Sequence, residues 1–479
     1  MAKNLRQKYY ARKVQRLREN NSRNWWRNIK QLTGMKTRST HPLTGLANLL
    51  YDGNMEALAT DINKSFLNVI SHLQPPSADA APPAPDSVPS EFIIDQSSVE
   101  IKLSRINTHK AQGPDDLPNW VLRDFSCLAG PVCSIYNASV REGFIPDRWK
   151  EAYIVPVPKI HPPSSIDSDL RPISLIATLG KLLKSFVGSW ILERIEDIKF
   201  DDYQYGALKR RSTTHALADV LYHWHRAADM GQPVRTVLVD FAKAFENVDH
   251  NILISKMREF DLPDVIVRWM YAFLRNRRQR VKIDKTLSEW IPIGAGMPQR
   301  SLLGPLMFII LIDNLRPGCL THKYIDDTTL TETLEKAGNS HMQLFVDNLV
   351  KQSTNNGMKV NQRKTKEMLI GSNANNQLPQ LILNGTRVER VSSFKLLGVH
   401  VASNLKWTQH VDALSSKVST RLQFLKLLKR SGASINDLLC FYTSVVRPVL
   451  EYACPVWHSS LTVGQNMRHW SRCRSAPCE

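Results

Sequence analysis

Two short apolar runs, each ending in acid, stand out along this chain. Val237-Leu238-Val239 leads into Asp240, and Tyr324-Ile325 leads into Asp326-Asp327 before Thr328-Thr329-Leu330 returns. Each run reads as a strand, and the second as a hairpin carrying two carboxylates at its tip. Around them short strands and longer helices alternate irregularly, an α+β arrangement rather than a regular βαβ array. Residues 91–150 read mainly as helices, broken at Gly113-Pro114-Asp115 and at Gly143-Phe144-Ile145-Pro146. Beyond Trp407 the apolar stripe Val411, Leu414, Val418, Leu422, Leu425 and Leu428 predicts a long helix that Gly432 closes. Ser434 and Asp437 resemble a capping box opening the next helix, which the residue before Pro448 is expected to end. No internal repeat is visible.

The first ninety residues follow a different pattern. Residues 3–34 are basic and aromatic, with Tyr9, Tyr10, Trp25 and Trp26 among lysines and arginines, and a helix ending at Gly34 is expected. Such a segment can hold phosphates and stack bases, or serve as a solvated basic helix with its tryptophans on the body. The stretch QPPSADAAPPAPDSVPS, Gln74–Ser90, has the composition of a disordered linker.

Composition narrows the partner. The 479 residues carry a net charge of +19 and a pI near 9.6, which favours a polyanion over an acidic small molecule. A hydrophobic content of 42% can fill one large, several-part core. The seven cysteines form no CxxC pair and read as mostly buried apolar residues, not as disulfides or a zinc site. There is no run of eighteen or more apolar residues, so no membrane partner is expected.

Adjacent carboxylates at a hairpin tip repel one another unless a cation compensates. If folding brings Asp240 to Asp326 and Asp327, the three form an all-oxygen site suited to hard Mg²⁺. Taken alone, each station reads rather as an acidic turn or a solvated strand end.

The surrounding words carry a resemblance. AQGPDDLPNWVL, IVPVPKI, LRPISLIATLGKLL, QYGALKRRSTTHAL, DFAKAFENVDH, GAGMPQRSLLGPLMFIILIDNL, YIDDTTL, NQRKTKEML, FKLLGVHVASNLKW and LLCFYTSVVRPVLEYACPVW follow one another between Ala111 and Trp457. In that order they resemble the reverse transcriptases of non-LTR, LINE-type, jockey-like retrotransposons. The resemblance implies a right-hand polymerase with fingers, a palm built on an antiparallel sheet, and a helical thumb. Its parts would be a basic helical segment (1–73), the linker (74–90), an extension of the fingers (91–150), fingers and palm (151–400), thumb (401–464) and an atypical tail (465–479).

Carried over residue by residue, the resemblance makes Asp240, Asp326 and Asp327 the catalytic carboxylates. Two Mg²⁺ ions, or Mn²⁺ in their place, would be held by these and by the Phe241 carbonyl. Lys159 and Arg171 would hold the triphosphate, and Gln299 would lie beside the incoming nucleotide. Phe245 would stand beneath the sugar and exclude a 2′-hydroxyl, although helical spacing from Phe241 also suits a core residue. Lys364 would donate a proton to pyrophosphate, or be a plain surface lysine. Lys395–Val399 would shape a primer grip, Lys417 and Arg421 would touch the duplex, and Asp249 reads as a helix cap. The partners implied are an RNA template, a DNA primer and dNTPs, with a nuclear location if the enzyme acts at chromosomal targets.

Three departures qualify this picture. Arg300 stands where the second palm motif usually has glycine, and its bulk beside Gln299 is expected to impair activity. Glu246 replaces the usual Asp. The family's endonuclease and zinc knuckle are not expected in this chain, which suggests a fragment of an element. The alternative to an active RNA-directed DNA polymerase is an inactive, nucleic-acid-binding remnant. A viral RNA polymerase is disfavoured by YIDD and by Phe245.

Overall fold

The computed structural model describes residues 41–83, 87–197, 200–297, 302–335, 339–371 and 378–464. The basic segment before residue 41, Gln299, Arg300 and the tail from 465 lie outside them.

Two five-stranded sheets organise the chain. The first holds β1 (Glu151–Pro158), β2 (Leu170–Leu175), β4 (Arg277–Ile283), β5 (Thr286–Leu287) and β6 (Ile291–Ile293), in the order β2-β1-β4-β5 with β6 also on β4. The second holds β3 (Val234–Val239), β7 (Leu320–Tyr324), β8 (Asp327–Thr333), β9 (Lys366–Ile370) and β10 (Glu389–Arg390), ordered β10-β9-β3-β8-β7. Here β3 is central and antiparallel to both β8 and β9. Every residue of β3 is buried, because helices cover the sheet while β8 and β9 flank it. The result is a mixed α/β molecule of the irregular kind expected, with helices between and after the sheets.

Behind the second sheet the helix Leu303–Ile312 is apolar on all sides and wholly buried except at Pro305, as a helix without a polar face must be. The helix His250–Glu259 is opened by Asp249, whose carboxylate accepts from the Asn251 and Ile252 amides at 2.7 and 3.3 Å. That is the cap expected from sequence. Asp249→Ala should lower stability by roughly 0.5–2 kcal/mol, as denaturant unfolding would measure; an unchanged midpoint would show the cap to be idle.

The helix Thr408–Arg430 buries all six residues of its apolar stripe, and Gly432 follows with φ +80°. Ser434 then caps Ile435–Phe441 by accepting from the Asp437 amide. The expected stop before Pro448 needs correction. Tyr442–Val446 widens into a π-turn and Arg447–Glu451 continues helically. Pro448 falls in the first turn of that new segment, where its missing N–H has no intrahelical acceptor to serve.

Order reaches further towards the N-terminus than composition implies. The helices Thr44–Tyr51 and Met55–Asn68 share a core with the first sheet, through Leu46, Leu58 and Ile62 against Ile154, Val281 and Ile283. Buried Asn63 donates to Ser288 Oγ at 3.1 Å and accepts from Gln279 Nε2 at 3.0 Å. The Pro/Ala/Ser stretch also differs from the expected disorder. Ala78–Ala80 makes a turn of 3₁₀ helix, and side chains elsewhere satisfy the neighbouring backbone: Asn251 at the Ser77 amide, Tyr271 at the Ser77 carbonyl and Arg258 at the Ala80 carbonyl. Tertiary hydrogen bonds here supply what the stretch's own side chains cannot. The five described cysteines are all free, and the reading of them as mostly buried needs correction: only Cys133 is buried, and Cys127 and Cys440 are exposed.

Candidate active site

Register brings the acidic stations together. β3 pairs with β8 so that Val239 faces Thr328, and β7 pairs with β8 so that Tyr324 faces Asp327. Ile325 and Asp326 form the two-residue turn, which sets Asp326 and Asp327 beside Asp240, the residue just past the end of β3. Ile325 takes φ +57°. A β-branched residue rarely adopts that conformation, and such strain persists only where the surroundings over-determine it.

The surroundings are specific. Gln204 Oε1 accepts from the Ile325 amide at 3.1 Å and from the Gly206 amide at 2.8 Å. Residues 203–205 run beside β7, with the Lys323 amide donating to the Tyr203 carbonyl and the Tyr205 amide to the Lys323 carbonyl, both at 2.8 Å. A Cβ placed on Gly206 would lie 2.5 Å from the Ile325 nitrogen, so only glycine fits against the turn. Below the turn, Lys323 is completely buried. Its ammonium pairs with Asp201 at 2.6 Å and donates to the carbonyls of Ile312, Asp313 and Leu315 at 3.1–3.2 Å. β7 is thereby tied to the end of the buried helix.

On the other side, Asn361 donates its amide to the Asp240 carbonyl at 2.7 Å and Ala242 donates to Lys359 at 2.8 Å. These two bonds make the Phe241–Val360 bridge and do not use the Phe241 carbonyl. Lys364 Nζ lies 3.5 Å from Asp240 Oδ2 and is largely exposed. That same Oδ2 is buried and accepts no hydrogen bond.

The electrostatics are those of crowded carboxylates. Burial, then Asp240 and Glu246, raise Asp326 above the usual carboxylate range, against its own amide and Lys364. Asp327 is pushed up to about 6, first by the protein around it and then by Asp326 and Asp240. An orphaned oxygen and two carboxylates that resist ionisation are a donor set that a hard divalent cation would satisfy. The oxygens are not drawn into one tight knot. Among the described residues, the one trio of ligand-type atoms within 4.8 Å of one another is Asp219, His223 and His322, behind β7. Sequence reading passed over that trio, although Asp219 and His223 stand four apart on a helix.

The remaining candidates fall in three places. Phe245 is half-buried, with its ring stacked on Phe308 at 5.1 Å and 28°. Its carbonyl accepts from Met297 at 2.8 Å, the last described residue before Gln299. Phe241 rather than Phe245 is the fully buried core ring. Lys159 and Arg171 belong to the β1–β2 hairpin of the first sheet, where Val157 faces Arg171. Both are exposed, and Lys159 Nζ donates to the Ser168 carbonyl at 2.8 Å. Finally, β11 (Ser393–Leu396) and β12 (Val399–Ala402) form a hairpin whose turn, Leu397-Gly398, has positive φ at both residues. Lys417 is exposed, and Arg421, one turn on, donates to the Val445 carbonyl and braces its helix against the next.

Comparison with known proteins agrees with this geometry. The family model described as "Reverse transcriptase (RNA-dependent DNA polymerase)" matches residues 158–401. The RNA-directed DNA polymerase from mobile element jockey of Drosophila melanogaster is 24% identical over 372 residues, 74% of this chain and 40% of that protein. The probable RNA-directed DNA polymerase from transposon BS of the same fly is 26% identical over 369 residues, covering 73% and 40%. Its counterpart from mobile element jockey of Drosophila funebris is 26% identical over 421 residues, covering 84% and 44%. The chain thus spans well under half the length of these curated relatives. The relatives it resembles are polymerases of mobile elements, and with the family match covering half the chain and both acidic stations inside it, this protein belongs to the reverse transcriptase family.

Proposed function

We propose that the chain is an RNA-directed DNA polymerase adding dNTPs to a primer 3′-hydroxyl, with the second sheet as palm, the first sheet as fingers and the helices after Trp407 as thumb. The observation that carries this reading is the convergence of Asp240 with Asp326 and Asp327 at the strained Ile325-Asp326 turn, held by hydrogen bonds to Gln204 on one side and from Asn361 on the other. Asp240, Asp326, Asp327 and the Phe241 carbonyl would hold the metals. Two Mg²⁺ ions, when bound, supply activation of the attacking hydroxyl and charge compensation on the triphosphate.

The protein's own residues then position the substrates. Lys159 and Arg171, exposed on one hairpin, offer a point charge and a two-pronged donor to the triphosphate. Lys364, beside Asp240, is placed to balance charge or pass a proton to leaving pyrophosphate. Phe308 fixes the Phe245 ring, so a sugar resting on that ring meets a rigid surface. Opening that surface with Phe245→Ala should raise ribonucleotide incorporation relative to deoxyribonucleotide, within the ~1–3 kcal/mol that apolar shape discrimination provides. An unchanged ratio in a folded variant would return Phe245 to the core.

Primer extension on poly(rA)/oligo(dT) with Mg²⁺ and dTTP tests the activity directly. Product is expected; duplex binding without product would instead favour an inactive remnant. The same assay on Arg300→Gly, with a faster rate expected, tests the damage assigned to that position.

A further inference from the structure

Behind β7, away from the carboxylates at the hairpin tip, three side chains of ligand type converge. Asp219 and His223 stand one turn apart on the helix Thr213–Asp229, so their side chains lie along one face. His322 comes from β7. His322 Nε2 lies 2.9 Å from Asp219 Oδ2, and His223 Nε2 lies 3.8 Å from Asp219 Oδ1. One ligand-type atom from each residue falls within 4.8 Å of the other two. His322 is 3% exposed, whereas Asp219 and His223 are each 29% exposed. The group is therefore closed on the side of the sheet and open to solvent on the other.

We propose that Asp219, His223 and His322 form a binding site for a divalent transition-metal ion, Zn²⁺ foremost, with water in the fourth position. Two imidazole nitrogens and one carboxylate are a borderline-soft donor set, suited to Zn²⁺ and poorly matched to Mg²⁺ or Ca²⁺. Zinc bonds of about 2.0–2.1 Å place tetrahedral N and O ligands roughly 3.4 Å apart. The observed 2.9 and 3.8 Å run to different oxygens of Asp219, and one ligand atom from each residue lies within 4.8 Å of the others, so side-chain shifts of up to about 1–1.5 Å bring the three to that spacing.

The ligands are already braced. Tyr205 donates its hydroxyl to Asp219 Oδ2 at 2.7 Å and its ring stacks on His322 at 22°. Tyr203 meets the other side of His322 edge-on, with ring centroids 5.2 Å apart. Outer contacts of this kind fix ligand orientation in metal sites. Bound there, the ion replaces the Asp219–His322 hydrogen bond and ties the helix to the strand that runs on into Asp326. Its role is structural and needs no part in nucleotidyl transfer.

The full chain, stripped of metal by chelation, is titrated with Zn²⁺ against a chromophoric competitor and separately with Co²⁺. Expected are one equivalent bound, a rise in Tm on Zn²⁺ addition, and visible Co²⁺ bands without the near-ultraviolet absorption that thiolate ligands would add. His223→Ala, a half-exposed change that leaves the core alone, should lose the Tm rise and weaken binding at least tenfold. Tyr205→Phe should weaken it about 10–100-fold, as removal of an outer-shell partner does. Asp240→Ala should bind as tightly as the parent. Absence of stoichiometric binding, or His223→Ala binding like the parent, would overturn the site and leave a hydrogen-bonded trio.

Discussion

Alanine at Asp240 or at Asp326 is expected to reduce primer extension to background while leaving primer–template affinity close to that of the parent. The two effects separate because they rest on different groups. On the proposed reading, affinity would come from many lysine and arginine contacts to phosphate in a chain of net charge +19 and would fall steeply with salt. Chemistry would need the oxygens at the ends of β3 and β7. Stability should not fall with activity. Asp326 and Asp327 repel each other and Asp240 in the metal-free protein, so Asp326→Asn relieves like-charge repulsion at constant volume. Extension rate, salt-dependent binding and denaturant midpoint, measured on the same preparations, check all three statements. Near-normal extension by either alanine variant would remove the metal role from these carboxylates.

The second large effect is expected at Lys323. Burial pushes its ammonium below the ordinary lysine range, while Asp201 pulls it back, so the pair stands as ion and counter-ion inside the protein. Lys323→Met keeps the bulk of the chain but leaves Asp201 and three carbonyls without their donor. Breaking one side of a buried pair costs about 3–5 kcal/mol, most of it the penalty of the uncompensated partner. The denaturant midpoint should fall accordingly, and extension should fall with it, because β7 loses its tie to the helix Leu303–Ile312. A double variant, Lys323→Met with Asp201→Leu, should recover much of the stability. A single-variant loss below about 1 kcal/mol would show that the charge is not buried as an obligate pair.

Local pattern made some of this visible in the sequence. The hairpin at Tyr324–Leu330, the Asp249 cap and the helix Thr408–Arg430 obey periods of two residues or 3.6, and the chain states those periods openly. What stayed hidden depends on distant partners. Nothing in the local pattern marks His322 or Lys323, because Asp219 and Asp201, which pair with them, lie far along the chain. The Pro/Ala/Ser stretch reads as disorder because Asn251, Arg258 and Tyr271, which order it, are far along the chain. Pro448 reads as a stop because the π-turn before it leaves no mark in apolar spacing. In the site, Asp240 and the Asp326-Asp327 pair were legible as chemistry, whereas Gln204, which holds the turn, was not.

Survival of the acidic motif and survival of the site it forms are two different things. The contact between Gly206 and Ile325 separates those two things. A single methyl at residue 206 would drive into the backbone nitrogen of the turn, displacing Asp326 without altering any carboxylate. A lineage can therefore fall silent while its YxDD signature stays intact. In this chain, the glycine ahead of the first acidic strand is as much a condition of the site's geometry as the aspartates themselves.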